Sequence, residues 1–200
     1  MLLQRSFKIS LLVLVLVLAG CASSGPKSSF DNRNVPSRAL TLYEQAAAAM
    51  AAGDFLDAEH RFSEFLAQYP DYPGAYVNLA IIHAGRGNND ASLDAIEAAL
   101  AIDAEYPPAL NQKGMLLRRN GNFPGAEAAY LKAVTADPDY ALAHYNLGVL
   151  NELYLQRLDV ALQHFERYQE LVDDDKQVEK WIADLRRRVA AIQRTAKVAN

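Results

Sequence analysis

The sequence predicts an all-α protein, a short α-solenoid of about four helix-turn-helix repeats closed by a C-terminal capping helix. Three observations predict it. From about Ser37 onward no strand-type alternation occurs, and apolar residues recur every three or four positions in segments of roughly 12 to 15 residues. Gly53-Asp54-Phe55, Gly87-Asn88-Asn89 and Gly121-Asn122-Phe123 stand 34 residues apart, each a break between two helices. After Asp173-Asp174-Asp175 the pattern becomes one long single-sided stripe.

The first 20 residues read as a leader. Arg5 and Lys8 precede an apolar run from Ile9 to Leu18 that ends in small residues, the layout of a signal peptide. That run is shorter than the roughly 20 residues a spanning helix needs. Leu18-Ala19-Gly20-Cys21 resembles the lipobox of bacterial lipoproteins. The resemblance implies diacylglyceryl transfer to the Cys21 thiol, cleavage before it and acylation of the new amino terminus. One acyl chain anchors marginally and several anchor stably. Ala22 follows where inner-membrane-retained lipoproteins carry aspartate, so the resemblance implies outer-membrane sorting, with the body on the periplasmic side. Cys21 is the single cysteine, which leaves no internal disulfide.

Residues 21–36 are rich in Ser, Asn, Gly and Pro and read as a lipidated cysteine with a flexible tether. Such a chain spans on the order of 20 Å. Without residues 1–20 the chain carries 18 basic against 24 acidic residues. That balance offers no sustained basic surface for nucleic acid.

Residues 37–174 hold the four repeats. Each turn glycine permits the left-handed conformation that ends one helix, and the Asp or Asn after it can cap the next. Ala58, Ser92 and Ala126 keep one phase; Phe62, Ile96 and Tyr130 keep another; Phe65, Ala99 and Ala133 a third. Pro70 and Pro138 stand where a second helix must stop. Ala80, Gly114 and Gly148 share a phase in the first helices, where a small residue lets the paired helix approach. In the fourth copy Leu155 takes the glycine's phase, while Ala161, Phe165 and Tyr168 lie one residue late. This predicts a one-residue insertion in that turn. Residues 175–195 then form the capping helix, with Val178, Trp181, Ile182, Leu185, Val189 and Ile192 on one side. Its stripe covers the open end of the stack.

The pattern resembles the tetratricopeptide repeat family, over about residues 39–174. In that family the first helices line a concave, partner-binding face. The resemblance turns Tyr43 and Glu44 inward from the first repeat, and Asn78 and Ile81 from the second. The third supplies Asn111, Gln112, Met115, Arg118 and Arg119, and the fourth Tyr145, Asn146, Val149 and Glu152. An amide offers a donor and an acceptor together and so suits a ligand's backbone, and an arginine suits a carboxylate. On this reading, replacing Asn78 and Asn146 by alanine weakens partner capture and leaves melting unchanged.

No catalytic constellation is legible: no His-Glu-x-x-His, no phosphate-cradling loop, no Gly-x-Ser-x-Gly elbow. His60, His83, His144 and His164 show no i, i+4 pairing, and His83 and His144 fall at packing phases. No catalytic residue, metal site or cofactor is therefore expected, and nothing specifies an oligomeric state. The expectation is a non-enzymatic, outer-membrane-anchored scaffold that holds a protein or peptide in its concave groove. Its plan resembles the repeat lipoproteins of type IV pilus biogenesis and secretion. The alternative is an accessory subunit of a cell-wall synthesis or hydrolysis enzyme, or of TonB-type energy transduction.

Overall fold

The structure is a computed structural model that describes residues 36–198. The leader, Cys21 and the tether up to residue 35 lie outside the described residues. Nine helices and no strand occur among those described, as antiparallel pairs followed by one long helix. The pairs are α1 (Ser37–Ala51) with α2 (Phe55–Gln68), α3 (Pro73–Gly85) with α4 (Asn89–Ile102), α5 (Pro107–Arg119) with α6 (Phe123–Ala136), and α7 (Ala141–Leu153) with α8 (Leu158–Leu171). Helix α9 (Lys176–Val198) closes the stack against α8. None of the described helices is long and apolar enough to cross a membrane.

The turns follow from their residues. Gly53, Gly87 and Gly121 sit at φ of 79°, 80° and 78°, the left-handed region that glycine adopts without a steric penalty. The fourth turn puts Gln156 there instead, at φ 55°. Gln156 lies 35 residues after Gly121, which locates the inserted residue in the turn, and the buried Ala161 and Phe165 follow one position late in register. Asp54 accepts from the Asp57 amide and Asn122 from the Gly125 amide, each capping a second helix. Asn88 and Arg157 make no such bond at their helix starts. Pro73 and Pro107 open α3 and α5, where the missing N–H is no loss.

Packing within a pair sets large against small. A Cβ on Gly114 would stand 2.5 Å from Cε1 of Tyr130, and one on Gly148 would stand 2.7 Å from the Phe165 ring. Tyr130 and Phe165 are fully buried by this approach, as are Phe62 and Ile96 at the same phase. Ser92, at a phase otherwise held by alanine, is buried and donates its hydroxyl to the Ala80 carbonyl at 2.9 Å. Its polar atom is therefore satisfied.

Helix α9 completes the last repeat. Val178, Ile182 and Leu185 are buried against Ala161 and Phe165. Trp181 lies 5.8 Å from the Phe165 ring and 6.2 Å from that of Tyr145, centroid to centroid, so it packs on the fourth repeat. Asp175 caps the helix by accepting from the amides of Gln177 and Val178, and it also takes the Tyr168 hydroxyl at 3.1 Å.

Candidate partner-binding face

The first helices of the second, third and fourth repeats form one continuous layer. Helix α3 packs on α5 and α5 on α7, in addition to each helix's own partner. The second helices make their inter-repeat contacts through the next first helix instead: α2 with α3, α4 with α5, α6 with α7. The side on which neighbouring helices stand closer is the inner side of a curved stack, so α3, α5 and α7 carry its inner face.

Three asparagines of this face, Asn78, Asn111 and Asn146, are already engaged across the repeats. Asn78 donates to the Tyr43 hydroxyl at 2.9 Å, and Asn146 donates to the Asn111 side-chain oxygen at 2.9 Å. Both bonds join residues 35 positions apart, one repeat plus one. Asn111 in turn points its own amide at the Met115 sulfur, 3.8 Å away. Asn111, Gln112 and Asn146 are buried, while Asn78 and Tyr43 are half-buried. Asn78 with Tyr43 and Asn146 with Asn111 thus form a ladder between repeats as well as lining the face. Removing Asn146 would leave the buried Asn111 oxygen short of a partner, at a cost of about 1–3 kcal/mol. The expectation that Asn78→Ala with Asn146→Ala leaves melting unchanged is corrected accordingly: the double variant melts lower.

The accessible part of the face is mixed in character. Glu44, Ile81 and Arg119 are exposed, and Met115, Arg118, Tyr145 and Val149 are half-buried. Arg118 and Arg119, about 100° apart around α5, reach toward opposite neighbours. Arg119 donates to the Ala84 carbonyl of the preceding repeat at 2.5 Å. Arg118 stands 5.9 Å from the centre of the Tyr154 ring, a cation–π distance, and its charge acts on the Tyr130 hydroxyl. Burial nevertheless pushes that phenol up to about 12, outweighing the arginine. Glu152 is bound at 2.7 Å by Arg188 of α9, so the capping helix also reaches the end of the inner face.

A histidine pair lies beyond the reach of sequence spacing. His144 of α7 and His164 of α8 bring their Nδ1 atoms to 3.1 Å, although 20 residues separate them. Only the pairing of α7 with α8 shows it. Among the described residues no group of three or more His, Cys, Asp or Glu could hold a metal ion.

Comparison with known proteins decides the family. Residues 32–107 and 111–176 match the model of the tetratricopeptide repeat. The chain belongs to the tetratricopeptide repeat family. Members of this family bind protein partners. It is 30% identical over 139 residues to the protein O-mannosyl-transferase TMTC1 of Mus musculus, covering 68% of this chain and 15% of that protein. To the human TMTC1 it is 27% identical over 168 residues, 74% of this chain and 19% of that protein. The chain therefore spans less than a fifth of these relatives. Among solved structures it is similar to PilF of Pseudomonas aeruginosa, with a TM-score of 0.68 at 20% identity, covering 78% of this chain and 70% of that one. It is also similar to TTC0263 of Thermus thermophilus, at 0.64 and 23%, covering 74% and 80%. These likenesses concern the fold, an all-α repeat solenoid.

Proposed function

We propose that this tetratricopeptide repeat protein is a lipid-anchored scaffold of the bacterial cell envelope. In this reading Cys21 is acylated and held in the outer membrane, the tether sets the solenoid off on the periplasmic side, and the inner face receives a protein or peptide segment. The observation that carries the reading is the combination of Leu18-Ala19-Gly20-Cys21, which resembles a lipobox, with a repeat fold whose inner helices carry the accessible Ile81, Met115, Arg118 and Tyr145. Apolar and aromatic side chains beside an arginine make a surface suited to an extended or helical segment carrying a carboxylate. Pilus assembly is the setting we favour, because a pilus protein of similar fold is among the structures it resembles.

The test has two parts. Cells producing the full chain are fed a clickable palmitate and then fractionated, with Cys21→Ser alongside. Label in the outer-membrane fraction that vanishes with Cys21→Ser supports the anchor; an unlabelled chain in the periplasm refutes it. Crosslinking from intact envelopes, followed by mass spectrometry, then identifies what the inner face holds. Pilin or secretin subunits support the pilus setting, and cell-wall synthases, hydrolases or TonB-system proteins replace it with an accessory role.

A further inference from the structure

The fourth repeat contains a pair of imidazoles that the scaffold role does not use. His144 and His164 face each other between α7 and α8, with Nδ1 to Nδ1 at 3.1 Å, ring centroids 5.3 Å apart and planes inclined by 43°. His144 Nε2 lies 3.1 Å from the Pro138 carbonyl. A carbonyl can only accept, so Nε2 carries the hydrogen and donates it. In the neutral ring, Nδ1 of His144 then bears the lone pair. His164 completes the bond by donating from its own Nδ1.

We propose that His144 and His164 together form a chelating site for a late first-row divalent cation, Cu²⁺ foremost. Imidazole nitrogen is a preferred donor for that class. Nitrogens about 2.0–2.1 Å from a metal and 3.1 Å from one another subtend roughly 100° there. That is near the right angle between neighbouring ligands in a tetragonal Cu²⁺ centre.

The surroundings suit a ligand pair. Metal-binding histidines characteristically give their other ring N–H to a carbonyl or carboxylate, which fixes tautomer and orientation; the bond from His144 Nε2 to Pro138 is of this kind. Both imidazoles are held neutral, which coordination requires: burial lowers His144 and brings His164 down to about 4, the neighbouring His144 adding to the effect.

Three charged side chains act on the pair. Asp139 and Arg167 act on His144 in opposite directions, and Glu127 acts on His164. Asp139 is bonded to Arg167 and Glu127 to Arg157, so both carboxylates are committed to arginines. The chain thus supplies two ligands and water fills the remaining positions.

Binding balances without net proton release. The cation takes the place of the hydrogen between the rings, and His164 carries its proton on Nε2 instead of Nδ1, exchanged through solvent to which the ring is partly open. With His144 held on Pro138, rotation of the His164 ring about its soft terminal torsion brings the two lone pairs onto the ion. Since the ligands come from two helices, the site exists only in the folded repeat, and the cation raises the melting temperature.

The test titrates CuCl₂ into the full chain, purified in detergent at pH 7.5. Expected are one Cu²⁺ per chain, electron paramagnetic resonance couplings from two imidazole nitrogens, and a raised thermal midpoint. His144→Gln and His164→Gln should each lose the two-nitrogen signature and weaken binding at least tenfold, while the double change His60→Gln and His83→Gln alters neither. A measurement on the unmodified chain stands independently of how the variants fold. Substoichiometric Cu²⁺ should broaden the His144 and His164 ring resonances first. Broadening at His60 or His83 first, or unchanged binding in both single variants, overturns the site.

Discussion

Gly148 shows how much a single atom decides in this fold. Its missing Cβ leaves the space that the Phe165 ring occupies, and Phe165 is 1% exposed. Gly148→Ala should therefore cost about 1–3 kcal/mol through overpacking, read as a lower urea midpoint with an unchanged slope. The equivalent approach at Gly114 buries the Tyr130 phenol, and Tyr140 is packed against Leu110, Ala133 and Ala143. Tyr130 and Tyr140 are both pushed up to about 12 by burial, against 10 in an unfolded chain. A raised phenol stabilises the fold below pH 10 and loses that contribution as pH rises toward 12. Absorbance at 295 nm should show Tyr130 and Tyr140 among the tyrosines that ionise late, together with unfolding, and Tyr140→Phe should reduce the alkaline loss of stability. The small phase of the first helices was legible in the sequence because glycine and alanine repeat there. The His144–His164 contact was not, since no local spacing encodes a meeting of residues on two antiparallel helices 20 positions apart.

Among the elements, the fourth turn departs from the other three. A glutamine at φ 55° carries the steric strain that glycine avoids. Gln156→Gly is expected to raise stability by up to about 1 kcal/mol, a higher thermal midpoint with no change in helix content. The inserted residue was readable beforehand from the late phase of Ala161 and Phe165, because a period of 34 makes a slip of one visible. The capping of the second helices was only half readable. Asp54 and Asn122 make the side-chain bond that their type allows, while Asn88 at the same phase does not. An amide at that position is a capacity for capping that the sequence alone does not commit.

For the whole molecule, the 34-residue period specified the solenoid and the apolar stripe from Val178 to Ile192 its closing helix, and the inner face came with them through the family resemblance. The use of that face's amides did not. A sequence presents Asn78 and Asn146 as free recognition groups; the stacked helices commit them to Tyr43 and Asn111 of the preceding repeats. On the proposed reading, partner capture falls to the accessible residues between the ladder rungs, Ile81 and Arg119 with the flank of Arg118 and Tyr145. The direct measurement is photocrosslinking in intact cells, with a photoreactive amino acid in place of Ile81 on the inner face or of Lys132 on α6, both of them exposed. If the inner face holds the partner, position 81 gives a discrete adduct with one protein and position 132 gives none. Adducts from position 132 alone would contradict this and move the partner to the outer helices.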